Sequence, residues 1–255
     1  MNKMKRIRLD RLLVEKGVLA TRERARAFIM AGSVLVEENI VDKAGALVLP
    51  DAALRLRGKD NPYVSRGGLK LKGALENFGI NVRDLVALDV GASTGGFTDC
   101  LLQEGAAKVY ALDVGYGQMA WKLRNDKRVI LIERTNIRYF DGAGIVDRID
   151  IAVIDASFIS LRLVIPAVLK LIAGDAFILA LIKPQFEAGR EEVGKRGVVK
   201  DPLQHQKIIE DITGFCRKID LDVYGICESP LTGPAGNKEF FIYARKITRN
   251  QTDER

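Results

Sequence analysis

The chain has 255 residues, 47% of them hydrophobic and 29% charged, with a formal net charge of +7 and one histidine. That length suits one medium and one small domain, each with its own core. Cys100, Cys216 and Cys227 are odd in number and lack metal-ligand spacing. They read as small apolar residues of a reduced, cytoplasmic protein, with no metal expected.

The N-terminus, Met1-Asn-Lys-Met-Lys-Arg6, leads into a charged amphipathic segment without the apolar run of a secretory signal. The most apolar stretch, 151–183, is interrupted by Asp155, Arg162, Lys170, Asp175 and Lys183, so it cannot supply the roughly 20 apolar residues of a spanning helix. No membrane partner is expected. The positive charge is unevenly placed: residues 1–72 hold 16 Lys/Arg against 8 Asp/Glu, and the remaining 183 hold 24 against 25. A field of one sign confined to a small module is the footprint of a polyanion binder, most often nucleic acid. The bland alternative is a solvated basic face.

Leu9, Leu12, Leu13 and Val14 lie on helical spacing, and Gly17 stands where a C-cap would. Thr21 suits the N-cap of a second helix, Arg22 to Ala31, which carries Arg22, Arg24 and Arg26. Residues 34–41 and 46–50 read as strands, and 54–57 as a further one. Two small helices followed by short strands resemble the S4-like RNA-binding domain. The stretches that carry the likeness are Arg8-Leu-Asp-Arg11-Leu-Leu-Val and Ser33-Val-Leu-Val36. The resemblance implies binding of structured RNA through phosphate and shape contacts, with Arg8, Arg11, Arg22, Arg24 and Arg26 as candidates.

A polar segment, Gly58-Lys-Asp-Asn-Pro62, precedes Tyr63-Val-Ser-Arg66-Gly-Gly-Leu-Lys70-Leu-Lys72-Gly-Ala-Leu75, read as a linker entering a helix. Strands are then expected near 86–90, 108–114, 129–133, 150–155, 176–182, 222–228 and 239–246, with helices that include 161–172 and 202–218. Apolar strands alternating with amphipathic helices indicate an α/β fold, a parallel sheet covered on both faces. The last two strands are joined by a Pro/Gly-rich loop too short for a crossover helix, so they should pair antiparallel. A seven-stranded sheet with one reversed strand is the Rossmann-like variant of methyltransferases.

The segment Ala87-Leu-Asp89-Val-Gly91-Ala-Ser93-Thr-Gly95-Gly96-Phe97 reads as a buried strand turning through glycines into a helix, and the next strand ends in Asp113. Two adjacent strands, each delivering an acid beside such a turn, form a site for a nucleoside-bearing cofactor. Ser93 stands where a nicotinamide fingerprint needs its second glycine. The pattern Gly91-Ala-Ser93-Thr-Gly95 matches a hydrolase nucleophile elbow, but its triad would need His205, read here as an exposed helical residue, and no oxyanion loop is visible. An S-adenosylmethionine site, which has no pyrophosphate to bind, is the reading preferred.

Asp155 and Lys183 each close an apolar strand and so emerge at the carboxyl edge, where open α/β sheets bind ligands. A lysine there is poorly solvated, which disfavours its charged form, and a second lysine nearby would disfavour it further. A neutral amine is what a general base needs. The bland alternative is a lysine snorkelling from the strand end.

With these segments in view, the sequence resembles the TlyA-type family, some of whose members carry the label haemolysin A. That family joins an S4-like domain to an FtsJ-like ribosomal RNA ribose methyltransferase domain. The likeness runs nearly end to end and is carried by Ser65-Arg-Gly-Gly-Leu-Lys-Leu71, Asp89 to Asp99, Asp155-Ala-Ser-Phe-Ile-Ser160, Lys183-Pro-Gln-Phe-Glu187 and Gly233-Pro-Ala-Gly-Asn-Lys-Glu239-Phe-Phe. It implies an S4-like domain over 1–60, a linker and first helix over 61–80 and the catalytic domain over 81–250. It also implies a Lys-Asp-Lys-Glu tetrad on Lys70, Asp155, Lys183 and Glu239, with Lys72 as an alternative to Lys70. S-adenosylmethionine would lie over Gly91, Ser93, Gly95, Gly96 and Phe97 with Asp89 and Asp155, placing Asp113 on its ribose and Asn136 or its neighbours near the adenine. The reaction implied is cytidine 2′-O-methylation of ribosomal RNA or ribosomal subunits, with Lys183 as base, Asp155 tuning it and Glu239 orienting the lysine or the ribose.

Arg66 would add to the RNA surface. The charged, glycine-containing segment after Lys183 reads as a loop whose Arg190, Lys195 and Arg196 would close over RNA, or as a plain surface loop. Three rivals are weighed. A membrane-active haemolysin lacks a spanning helix and a secretion signal. A non-catalytic RNA-binding protein would have no reason to keep the tetrad. A base methyltransferase would need an Asn/Asp-Pro-Pro-aromatic loop or a cysteine, and Asp155-Ala-Ser-Phe offers neither. Oligomeric state is not indicated.

Overall fold

The computed structural model describes residues 6–19, 21–30, 32–56, 61–189, 193–194, 197–233 and 235–246. Several sequence expectations lie outside these residues: the helix end at Ala31, the strand end at Arg57, part of the polar segment at 58–60, loop residues Arg190, Lys195 and Arg196, Pro234, and positions 247–250. The chain divides into two compact units, residues 1–64 and 65–255.

The smaller unit contains β1 (Ile7–Arg8), α1 (Leu9–Glu15), α2 (Arg22–Met30), β2 (Val34–Val36), β3 (Asn39–Ile40), β4 (Leu47–Val48) and β5 (Leu54–Leu56). Antiparallel β1 and β4 form one ribbon, and β3-β2-β5 form a three-stranded sheet. Leu9 and Leu13 of α1, Ala25 and Ile29 of α2 and Val34 of β2 are fully buried together. Gly17 takes φ +68 after α1, and the Thr21 hydroxyl accepts the Arg24 backbone N–H at 3.2 Å. The expected single strand over 34–41 is instead a tight hairpin. Glu37 (φ 49) and Glu38 (φ 63) both sit in left-handed backbone, the conformation of a two-residue turn that matches strand twist. The usual signal there is Asn-Gly or Asp-Gly, and two glutamates conceal it.

The larger unit begins with α3 (Arg66–Phe78), capped by Ser65, whose Oγ accepts from Gly67 N. There follow β6 (Val86–Val90), α4 (Gly96–Gln103), β7 (Lys108–Leu112), α5 (Trp121–Arg124), β8 (Val129–Ile132), a 3-10 turn (Ile137–Tyr139), β9 (Ile151–Ile154), α6 (Leu161–Val168), β10 (Phe177–Ile182), α7 (Pro184–Glu187), α8 (Pro202–Lys218), β11 (Leu221–Glu228) and β12 (Phe240–Lys246). Asp201 caps α8 by accepting Leu203 N at 3.0 Å, with Pro202 pre-set at the first helical position.

The seven strands run in the order β11-β12-β10-β9-β6-β7-β8. Only β12 is antiparallel to its neighbours, as its short connection from β11 requires. β6, β9 and β10 are almost wholly buried, which matches their unbroken apolar runs. The core gathers Leu88, Val90, Ile154, Ile182 and Ile242 from the sheet with Val164, Val168 and Ile212 from the covering helices. Register aligns the strand ends: Val90 and Ala180 both lie opposite Ile154, and Ile182 lies opposite Phe240. The next residue outward from each strand is Gly91, Asp155, Lys183 or Glu239, so these four share the carboxyl edge.

Candidate active site at the carboxyl edge of the sheet

The turn after β6 is built by close approach. Gly91 has φ +88, and a Cβ there would lie 2.5 Å from the Asp155 carbonyl oxygen. Gly95 has φ +94, with Met119 Sδ 2.5 Å from where its Cβ would be. Only glycine satisfies both backbone and space at these points. Ser93, between them, takes φ 49 and donates its backbone N–H to Asp113 Oδ2 at 2.7 Å. Gly115 N donates to Asp113 Oδ1 at 2.6 Å. Asp113 thus stands just beyond the end of β7, locked by two amides, with lone pairs left for further donors. Asn136 is exposed and caps the 3-10 turn, its Oδ1 accepting from Arg138 N at 3.1 Å.

Asp89 lies beneath the turn and is wholly buried. Its Oδ2 accepts from the Thr98 hydroxyl at 2.6 Å, while Oδ1 has no hydrogen-bond partner among the described residues. Burial, opposed by the Thr98 bond and reinforced by Asp155 and Asp113, pushes its pKa up to about 7. Phe97 is also buried, its ring stacked on Phe241 at 6.1 Å, and Gly96 is buried at the start of α4. These residues support the turn from below. The sequence reading had counted Phe97 as a direct cofactor contact, but helical geometry turns its ring into the core.

Two ion pairs stand beside this turn. Lys183, 8% exposed, has its Nζ 2.6 Å from Asp155 Oδ1, an electrostatic contact without the angles of a hydrogen bond, and donates to Ser157 Oγ at 2.7 Å. Lys70, also 8% exposed, donates to Glu239 Oε2 at 2.5 Å, and Glu239 is 2% exposed. The two lysines are therefore each matched to a carboxylate. The expectation was a second lysine beside Lys183 with Asp155 tuning it; Asp155 does stand on Lys183, while Lys70 has Glu239 as its partner. Lys72 faces elsewhere, bonded to Glu104 at 2.9 Å and Glu76 at 3.3 Å.

Supporting residues that the sequence reading overlooked are Ser157, Thr98 and Glu187. Glu187 accepts from Ser160 Oγ at 2.5 Å and Leu161 N at 2.7 Å, which caps α6 and ties it to the turn of helix following Lys183. Burial pushes the Glu187 pKa up. The only signal for these three was their place inside the motif segments. His205 is a correction. It is buried rather than exposed, with Nε2 2.9 Å from Val199 O and its ring 5.6 Å from that of Phe240. A polar helix still needs one face on the sheet, and His205 lies on it with Ile208 and Ile212.

The model of the FtsJ-like methyltransferase family matches residues 63–246, and that of the S4 domain matches residues 7–54. This chain belongs to the FtsJ-like methyltransferase family. A Bacillus subtilis protein named "Putative rRNA methyltransferase YqxC" is 49% identical over 94% of this chain and 85% of its own length. A Mycobacterium tuberculosis protein named 16S/23S rRNA (cytidine-2′-O)-methyltransferase TlyA is 44% identical, covering 96% of this chain and 91% of the relative. Among solved structures, one titled "Putative hemolysin from Streptococcus thermophilus" superposes with a TM-score of 0.77 at 42% identity. That match covers 98% of this chain and 92% of the other.

In this chain the arginines of the S4 unit are less free than their sequence suggests. Asp10, fully buried in α1, accepts from Arg8 and Arg22 at 3.0 Å and from Arg26 at 3.3 Å. The Arg8 guanidinium first, and the other two after it, hold this carboxyl well below the usual carboxylate range against the cost of burial. All three arginines remain about half exposed, so one face of each still meets solvent. Arg11 pairs with Glu15, Arg24 lies over the Phe28 ring, and Arg66 donates to Thr232 O at 3.4 Å. Among the described residues no cluster suits a metal ion, and no helix is long and apolar enough to cross a membrane.

Proposed function

We propose that the chain transfers a methyl group from S-adenosylmethionine to a ribose 2′-hydroxyl of ribosomal RNA, a cytidine ribose by analogy with its named relatives. The observation that carries this reading is the set of Lys70–Glu239 and Lys183–Asp155 ion pairs at the carboxyl edge, beside a turn that only glycine can make. The turn from Gly91 to Gly95 would present its backbone to the cofactor, Asp113 keeps acceptor capacity for its ribose, and the exposed Asn136 stands after the adjoining strand to meet the adenine. When bound, the cofactor supplies an electrophilic methyl group.

The chain's residues then position an acceptor and move one proton. The Lys183 amine takes the 2′-hydroxyl proton, and the ribose oxygen takes the methyl group. Asp155 and Ser157 hold the ammonium that results, which is the paired arrangement seen in the structure. Lys70 holds Glu239 in place at the start of β12, next to Lys183 across the ladder, where it can orient the ribose. Alignment of acceptor and methyl group in a partly dry site supplies most of the acceleration. The basic S4 unit gives RNA affinity through phosphate contacts.

The test is transfer of radiolabelled methyl to unmodified ribosomal subunits by the wild type and by Lys183→Ala, followed by nucleoside mass spectrometry. Label is expected on ribose, with at least a roughly 10²-fold loss in the variant, while cofactor affinity stays within a few-fold. Label on a base would overturn the role given to the four residues. Loss of cofactor binding, with unchanged turnover of what is bound, would remove Lys183 from the chemistry.

A further inference from the structure

A cavity of about 360 Å³ opens beside the start of β12, walled by Val199, Lys200, His205, Gly236 and Lys238. A second recess of about 230 Å³ shares Lys200, His205 and Lys238 with it and extends to Glu228 and Phe240. None of the residues of the two ion pairs described above lines either space.

The walls are built. Asn237, 2% exposed, accepts Val199 N at 3.0 Å and donates to Gly197 O at 2.9 Å, so it stitches the strap before α8 to the segment before β12. A carbonyl oxygen can only accept, so His205 Nε2 carries the proton it shares with Val199 O, and the ring is held in one orientation. Lys200 and Lys238 are exposed at the rim. Lys238 pairs with Glu228 at 3.1 Å, and Lys200 has no ion pair or hydrogen bond among the described residues. The rim thus carries two ammonium groups against one carboxylate.

Sheet order gives the cavity its relation to the chemistry. The glycine turn and Asp113 lie over β6 and β7, Asp155 and Lys183 over β9 and β10, and the cavity over β12 and β11. Neighbouring strands are about 4.8 Å apart, so the cavity begins roughly 5–10 Å from Lys183 along the same edge. That interval suits the next nucleotide of one strand. We propose that this cavity receives the phosphodiester and ribose of the nucleotide adjacent to the methylated one, with Lys200 and Lys238 on the phosphate oxygens. The inference rests on the reading of the chain as an RNA ribose methyltransferase, and it gives that substrate a second fixed point on the catalytic unit. One fixed point orients a ribose poorly, whereas two along a strand set both its position and its direction.

The experiment uses the full chain and compares wild type, Lys200→Ala/Lys238→Ala and the control Lys127→Ala, an exposed lysine at the opposite edge of the sheet. Binding of unmodified ribosomal RNA is measured across a salt series, and methyl transfer is resolved into kcat and KM. The double variant should lower the slope of log affinity against log salt by about 0.7, the value for one single-strand phosphate. Its KM for RNA should rise several-fold and its kcat should fall, with cofactor affinity and melting temperature unchanged, and the control should match wild type. An unchanged slope and KM would overturn the proposal and leave the methyltransferase reading standing. A lowered slope in the double variant, together with a wild type that methylates no RNA, would support the strand contact and sink the catalytic reading. Binding of free cytidine 3′-monophosphate that depends on the two lysines, without any change in the RNA slope, would assign the cavity to a free nucleotide and overturn the strand proposal.

Discussion

Asp89 shows how burial changes what a carboxylate does. One oxygen accepts from Thr98 and the other has no hydrogen-bond partner among the described residues, with Asp155 and Asp113 adding negative charge nearby. Its folded pKa of about 7 lies above the roughly 3.9 of an unfolded aspartate, so the folded state holds its proton longer. The sign follows: stability is full below the unfolded value and falls as pH rises towards the folded one. Asp89→Asn removes this dependence while keeping an acceptor for Thr98. Urea unfolding at about pH 5 and about pH 8 should therefore show the wild type losing up to roughly 1.4 kcal/mol per pH unit relative to the variant across that window. Parallel pH profiles would show that the carboxyl is already ionised when folded. Asp10 works in the opposite sense. Its arginine partners depress its pKa, so its contribution is present above the unfolded value and disappears only as pH falls below it. The two groups therefore act in separate pH ranges.

At the level of elements, the glycine turn couples three strands. Gly91 leaves β6 against the Asp155 carbonyl at the end of β9, while the Gly91 and Ala92 backbone N–H groups both donate to Leu112 O at the end of β7. Gly91→Ala adds a Cβ at positive φ where a backbone oxygen already stands, so the turn and Asp155 must separate. Ala at such a backbone angle costs more than about 1 kcal/mol before the clash is counted. A lowered melting temperature together with weakened cofactor binding is expected, and normal cofactor affinity would show that the cradle tolerates the shift. These strands were legible because unbroken apolar runs ending in an acid and glycines have few other readings. The choice between Lys70 and Lys72 was not. Residues two positions apart on a helix are about 200° apart around its axis, so they occupy opposite faces. Burial of Leu71, Ala74 and Leu75 sets which lysine meets β12.

At the scale of the whole molecule, the excess positive charge lies in residues 1–72 and the remainder is close to neutral. RNA affinity should therefore depend steeply on salt, and cofactor affinity should not. Raising salt from about 50 to about 200 mM is expected to weaken binding of ribosomal RNA by at least about tenfold, while a cofactor titration under the same conditions changes little. Equal salt sensitivity of both would show that the basic module makes no phosphate contacts. The pairing of Arg8, Arg22 and Arg26 around Asp10 lowers the charge offered to phosphate below what a residue count suggests. It also holds these guanidinium groups in fixed positions, which reduces the entropy lost when they meet RNA.

The sequence by itself determined the sheet with its reversed last strand, the glycine turn with its two acids, and the placement of Asp155 and Lys183 at strand ends. Each of these follows from local periodicity, caps and loop length, which act over a few residues. The tertiary structure alone decided the partners. Lys70 meets Glu239 across 169 residues of sequence, Lys183 meets Ser157 across 26, and Asp10 gathers arginines from its own helix start and from α2. His205 became a wall of a cavity because α8 packs that face against the sheet. Between exposed groups, charge pairing falls off over about 8–10 Å once salt screens it, so partners are set by which elements fold together and not by their order in the chain.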